Sequence, residues 1–173
     1  KDLDLQGQKT MLRLDLNVPI ENGQITSDAR IEAAIPTILA AQEQGGKVII
    51  LSHLGRPDPG ALKAIDSLQP VAEKLAQLSG QQVHFEPNWI ESIPDIDNGI
   101  VVCENVRFHE GETSNSEALS KQIASLCDVY VMDAFGTAHR KHATTYGVIT
   151  FVQTVCAGPL LTSEIESLSK AMQ

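Results

Sequence analysis

Short apolar runs alternate along this chain with longer stretches of helical periodicity, and that alternation sharply limits the folds open to it. Met11–Leu16 reads as a first strand. Lys47–Leu51 (KVIIL), Val83–Phe85, Ile100–Cys103, Val129–Met132 and Val148–Val152 read as further strands. Ser27 or Asp28 can cap a helix running toward Gln44, with Ile31, Ile35 and Ile38 on one face. Pro36 lacks a backbone donor, so a kink or a restart is expected there, and Gly45-Gly46 ends the helix. Pro70 opens a second helix, lined by Val71, Leu75 and Leu78 and stopped by Gly80. Ser114-x-x-Glu117 is a capping box before Leu119, Ile123 and Leu126. Gly158-Pro159 opens a last helix, with Leu161, Ile165, Leu168 and Met172 at helical spacing. Asn22-Gly23 marks a tight hairpin within Pro19–Ile25, and Pro87–Asn98 is irregular. Strands without clear polar alternation, separated by amphipathic helices, form a parallel sheet covered on both faces. The expected fold is therefore α/β: a Rossmann-like parallel sheet in three layers, α/β/α.

With 173 residues the chain fits one domain, and no internal repeat divides it. A net charge of -9 argues against a nucleic-acid partner, which needs a basic face. No run of about 20 apolar residues is present, so no membrane partner is expected. Lys1 to Gln8 is polar and lacks a signal core. Cys103, Cys127 and Cys156 are odd in number and form no C-x-x-C pair. Buried free thiols are expected, which suits a cytoplasmic location. The sequence stops in or just after a helix, so the natural chain is expected to continue.

Chemistry concentrates at the strand ends, where open α/β sheets bind ligands. The segments are Arg13 to Pro19, Ser52 to Pro57, Glu104 to His109 and Asp133 to Arg140. Four of the five arginines lie in them: Arg13, Arg56, Arg107 and Arg140. The fifth, Arg30, opens a helix. Of the eight lysines only Lys141 adjoins these segments. Guanidinium forks match phosphate and carboxylate oxygens two at a time. Screening over about 8 Å lets a local arginine cluster override the net charge. A pocket for one small anion is therefore expected.

Taken singly, these residues allow other readings. Arg13 alternates with Leu12 and Leu14 and either contacts ligand or pairs with a carboxylate. Asp15 and Asn17 are strand-end caps or ligand groups. Glu104 can pair with an arginine. His84 and His109 suit surface or packing roles. His139-x-x-His142 has a zinc-like spacing, but no cysteine or acidic pair completes a set, so no metal is expected. No G-x-x-x-x-G-K-[ST] or G-x-G-x-x-G motif is present to cradle a nucleotide. A stand-alone binder of phosphorylated metabolites and a metal-dependent hydrolase are functions these residues leave open.

The segments RLDLNVP (Arg13 to Pro19), SDARI (Ser27 to Ile31), SHLGRP (Ser52 to Pro57), ENVRFHEGE (Glu104 to Glu112), DAFGTAHR (Asp133 to Arg140) and AGPLL (Ala157 to Leu161) together resemble the phosphoglycerate kinase family. The resemblance runs over essentially the whole chain. It implies an N-terminal, 3-phosphoglycerate-binding α/β domain over 1–156 and, over 157–173, a helix leading to the interdomain hinge. It implies that Arg56, Arg107, Arg140 and His53 hold the substrate phosphate. Asp15 and Asn17 would orient its hydroxyl and carboxyl end, and Arg30 would be catalytic as well as substrate-binding. His139 and His142 would form a secondary basic patch. Mg-ATP and Mg-ADP would bind a C-terminal domain beyond Gln173, so these residues alone would hold 3-phosphoglycerate, hold no cofactor and not turn over. A monomer is expected.

Overall fold

A computed structural model describes residues 3–95 and 99–171. Asn98 and Met172, placed above in a loop and on a helix face, lie outside the described residues. So does Lys1 at the polar start.

A six-stranded parallel sheet forms the centre. Its strands are β1 (Lys9–Leu14), β4 (Lys47–Leu51), β5 (Val83–Glu86), β6 (Ile100–Cys103), β7 (Val129–Asp133) and β8 (Thr154–Ala157), in the order β5-β6-β4-β1-β7-β8. Every neighbouring pair is parallel, so all six carboxyl ends share one edge of the sheet. A small antiparallel hairpin, β2 (Ile20–Glu21) with β3 (Gln24–Ile25), stands apart. Asn22 and Gly23 turn it with φ of 50° and 77°, the left-handed pair that a two-residue hairpin requires.

Side-chain alternation divides the core into two layers. Leu12, Leu14, Val48, Ile50, Ile100, Val102, Val129 and Val131 face one way. Against them lie α1 (Ala29–Glu43), through Ile31, Ala34 and Ile38, and α2 (Gln69–Ser79), through Val71, Ala72 and Leu75. Met11, Ile49, Leu51, Val101, Cys103 and Tyr130 face the other way. They meet Trp89, Ala143, Val148 and α3 (Glu117–Ala124), through Leu119 and Ile123. Burying each such aliphatic side chain contributes about 1.5–3 kcal/mol. The three-layer α/β/α reading holds. Cys103 is buried, Cys127 and Cys156 are half-buried, and all three are free thiols.

Several local expectations need correction. Helix α1 runs through Pro36 without a restart. Asp28 stands at its N-cap position but makes no capping bond; its carboxylate pairs with Lys74 at 3.1 Å instead. Leu78 is exposed, so the buried face of α2 is Val71, Ala72 and Leu75. Ser116, not Ser114, caps α3, accepting from the amide of Leu119. Asn115 turns there with φ of 57°, which delays the helix past Ser114. Val148–Val152 is not a strand: the chain passes through a wide helical turn, Ala143–Gly147, straight into a 3-10 turn, Val148–Thr150. The last strand is Thr154–Ala157, at the sheet edge.

The last helix, α5 (Pro159–Ala171), buries only Leu161; Ile165 and Leu168 are exposed. Asp133 fastens its start. The buried carboxylate accepts from the Leu161 amide (2.8 Å) and from the Thr37 hydroxyl of α1 (2.7 Å). Gly158 sits so close that an added Cβ would collide with the Asp133 side chain, which explains a glycine there.

Candidate functional site

The carboxyl edge of the sheet gathers residues from four strand ends. Ser52, just past β4, accepts from the Leu16 amide through its hydroxyl (2.9 Å) and from the Val106 amide through its carbonyl (3.1 Å). It thereby ties together the ends of β1, β4 and β6. Asn105 adds a second tie. Its side-chain amide donates to the carbonyls of Leu54 (2.7 Å) and Asp66 (2.8 Å), and its oxygen accepts from the Arg107 amide (3.1 Å). Glu104 does not take the arginine partner expected of it. It accepts from the Ser67 hydroxyl and from the amides of Leu68 and Asn105, and so fixes the entry to α2.

These ties aim the arginines. Arg56, Arg107 and Arg140 line one cavity of ≈ 250 Å³ with Pro57, Thr113 and His142. Arg107 is buried and donates to the carbonyl of Gly55. The Gly55 amide in turn donates to the Asn17 side-chain oxygen at 3.0 Å. Gly55 has a φ of 61°, and a Cβ there would lie 2.5 Å from an Asp66 oxygen, so a side chain would be strained and would push Asp66 aside. Arg140 follows α4 (Phe135–Ala138), and its buried Nε has no hydrogen-bond partner among the described residues. Burial, then the charges of Arg140, Arg13 and Arg56, lower the Arg107 pKa, with Glu112 opposing. Three cations crowd the cavity, and Glu112, the acid that offsets this crowding at Arg107, lies buried behind them.

The remaining predicted residues stand beside this cavity, not on it. Arg30 and Asp15 form an ion pair of 2.7 Å, half exposed on the arginine side. Asp15 also accepts from the Asn17 amide at 3.2 Å. His139 is exposed, and the histidine on the cavity wall is His142. Burial, then Arg107, Arg140, Arg13 and His139, lower the His142 pKa. His84 is half exposed and pairs with Glu86, and His109 packs edge-on against Trp89, as packing residues do. Among the described residues no group of three or more His, Cys, Asp or Glu could hold a metal ion.

Arg13 is buried and, among the described residues, pairs directly with no carboxylate, which corrects the simpler expectation. Its Nε donates to the Thr144 hydroxyl (3.0 Å), Nη1 to the Leu14 carbonyl, and Nη2 lies 3.3 Å from His53 Nδ1. Thr144 donates to Glu112 through hydroxyl (2.6 Å) and amide (3.0 Å), and Tyr130 holds the Thr144 carbonyl. Glu112, Thr144, Tyr130 and Asn105 carry no signal of these roles in the sequence. A larger cavity of ≈ 510 Å³ opens at the amino ends of the strands, by Gly7, Glu43 and Gly46. It holds one lysine and no arginine, so it lacks the charge to grip an anion.

His53 responds to this field. Burial, then Arg13, Arg107, Arg140 and Arg30, push its pKa down to about 2. In the unfolded chain histidine titrates near 6.5. Below that pH the unfolded state takes a proton that the folded state refuses. The contribution is therefore complete above about pH 6.5 and is lost as pH falls, by up to about 1.4 kcal/mol per pH unit. Denaturant titrations at pH 7 and pH 5.5 should show this loss, and His53→Gln should make it smaller, the remainder belonging to His142 and His109. An equal loss in both proteins would remove His53 as its source.

Residues 1–173 match the model of the family described as phosphoglycerate kinase. The structure of phosphoglycerate kinase from Coxiella burnetii superposes with a TM-score of 0.94 at 48% identity, covering 98% of this chain and 43% of that one. Phosphoglycerate kinase from Pyrococcus horikoshii OT3 superposes with a TM-score of 0.83 at 29% identity, covering 98% of this chain and 44% of that one. The chain thus spans less than half the length of these relatives. Its full-length family match, and the sheet whose carboxyl edge carries the motif arginines, lead to one conclusion: the chain belongs to the phosphoglycerate kinase family.

Proposed function

We propose that this chain is the substrate-binding part of a phosphoglycerate kinase, which transfers a phosphoryl group reversibly between ATP and 3-phosphoglycerate. The products are ADP and 1,3-bisphosphoglycerate. The observation that carries this reading is the convergence of Arg56, Arg107 and Arg140 on one cavity at the carboxyl edge of the sheet. Together with His53 they would hold the substrate phosphate. Asp15 and Asn17 would orient the hydroxyl and the carboxyl end. Arg30, freed from its pairing with Asp15, would meet the carboxylate, and His139 and His142 would extend the basic patch.

The chemistry suits a site without a base. A carboxylate oxygen attacks the γ-phosphorus, the bond to the β–γ bridging oxygen breaks, and ADP leaves with that electron pair. The nucleophile is already ionised, so no proton is removed. Catalysis then rests on in-line placement and on cancelling charge over the transferred group. Arginines supply the second, and Arg30 is the one assigned to the group in flight. The magnesium nucleotide would be held by residues outside this chain, and residues 157–173 would lead toward them. A monomer in the cytoplasm is the proposed form; among the described residues no helix is long and apolar enough to cross a membrane.

Calorimetry tests this reading. 3-Phosphoglycerate should bind the 173-residue chain, ATP should bind far more weakly, and the chain should not turn over. Equal affinities, or no binding of the acid, would sink the assignment.

A further inference from the structure

His53 is the one histidine of the site buried beside an equally buried cation, Arg13, and hydrogen-bond polarity there admits few arrangements. Arg13 has only donors. Its Nη2 lies 3.3 Å from His53 Nδ1. For that contact to be a hydrogen bond, Nδ1 must keep its lone pair and accept. The ring proton then sits on Nε2, and the imidazole is neutral. Among the described residues Nε2 has no hydrogen-bond partner, and His53 stands just past β4, at the carboxyl edge of the sheet. There it lies in the field of Arg107, Arg140 and Arg30.

Arg13 is itself aimed from behind. Its Nε donates to the Thr144 hydroxyl at 3.0 Å. That hydroxyl has one proton, which goes to Glu112 at 2.6 Å. The second Glu112 oxygen accepts from the Thr144 amide at 3.0 Å. The Glu112 carbonyl accepts from the Ala143 amide at 2.8 Å, and Tyr130 holds the Thr144 carbonyl. Glu112 and Thr144 are buried and contribute no atom to the cavity wall. They hold one guanidinium in one orientation, and the guanidinium reads one nitrogen of one ring.

We propose that Arg13, aimed by Thr144 and Glu112, fixes His53 as its Nε2–H tautomer, so that a neutral N–H donor completes the anion site. This rests on the assignment of 3-phosphoglycerate to that site. Arg13, Thr144 and Glu112 are positioning residues, and His53 is the group that touches substrate. The arrangement has a physical purpose. A histidinium would add a fifth cation to a crowded pocket, and a free imidazole would pass part of its time with Nε2 as an acceptor, facing an anion it cannot bind. A clamped neutral donor avoids both.

Two-bond proton–nitrogen NMR correlations of the histidine rings test this in the 173-residue chain, with the His53→Gln spectrum assigning the signals. His53 should show the Nε2–H pattern from about pH 6 to pH 8. Adding 3-phosphoglycerate should move Nε2 and leave Nδ1 in place. Thr144→Val keeps the shape and removes the hydroxyl. It should mix the tautomers and weaken 3-phosphoglycerate binding about tenfold, the effect of one hydrogen bond to a charged group. Thr144→Ser should restore both. An Nδ1–H or imidazolium pattern in the unmodified chain would overturn the proposal, even if Thr144→Val failed to fold. So would a ring pattern unchanged in Thr144→Val. Absence of 3-phosphoglycerate binding would defeat the functional assignment instead, because the tautomer is read without ligand.

Discussion

Arg30→Ala, made in an enzyme that joins this chain to a nucleotide-binding half, should lower kcat on the order of 10²-fold and raise KM by much less. Arg30 lies in the first turn of α1, half exposed, held by one ion pair with Asp15. An exposed pair of that kind is worth about 1 kcal/mol or less. The side chain can therefore exchange Asp15 for a substrate group at little cost. An interaction that strengthens as charge spreads over the transferred group shows in kcat, whereas one equally strong in the bound ground state shows in KM. Steady-state kinetics of Arg30→Ala and Arg30→Lys separate these. Lysine restores the charge without the planar fork, so partial recovery is expected. A change confined to KM would reduce Arg30 to a substrate anchor.

The second large effect is expected at Arg107. Arg107→Ala should weaken 3-phosphoglycerate binding roughly 10²-fold, since a bidentate, charge-assisted contact contributes about 1.5–3 kcal/mol or more. Stability should change far less. The variant loses the bond to Gly55, yet it also removes one cation from the neighbourhood of Arg140, Arg13 and Arg56. Those two effects oppose each other. Calorimetry paired with thermal melting should therefore show a large loss of affinity and a small shift in Tm, the signature of a site that gives up stability for function. A variant that bound normally but melted far lower would make Arg107 a structural residue.

The sheet is legible in the sequence because a parallel strand covered on both faces must be apolar throughout. Lys47–Leu51 and Ile100–Cys103 satisfy that almost without exception. The same rule misleads at Val148–Val152, where an apolar run follows a wide helical turn and stays helical. Short apolar runs do not separate strand from buried helix by periodicity. Thr154–Ala157 is hidden for the opposite reason: an edge strand is half covered, and its side chains need not be uniformly apolar. The arginines of the site are legible because they are segregated from lysine. Their supports are not. Arg13 meets Thr144 across 131 positions, and no local pattern announces a contact that only the fold creates. Ser116 replaces Ser114 as the cap of α3 because a left-handed Asn115 resets the helix start.

The strand order also fixes when the site can exist. β1 is the first strand in the sequence and stands inside the finished sheet. One of its edges pairs with β4, as in Met11 with Ile49; the other must wait for β7, as in Met11 with Tyr130. During synthesis, Leu12 and Leu14 are made long before Val131, and an unpaired apolar strand remains open to wrong partners through that interval. Pairings so distant in sequence are slow to form. Arg13 and Arg140 flank this same late junction, so the anion pocket cannot assemble before β7 is in place. A ligand that grips it would bind the completed fold alone and draw the folding equilibrium toward it.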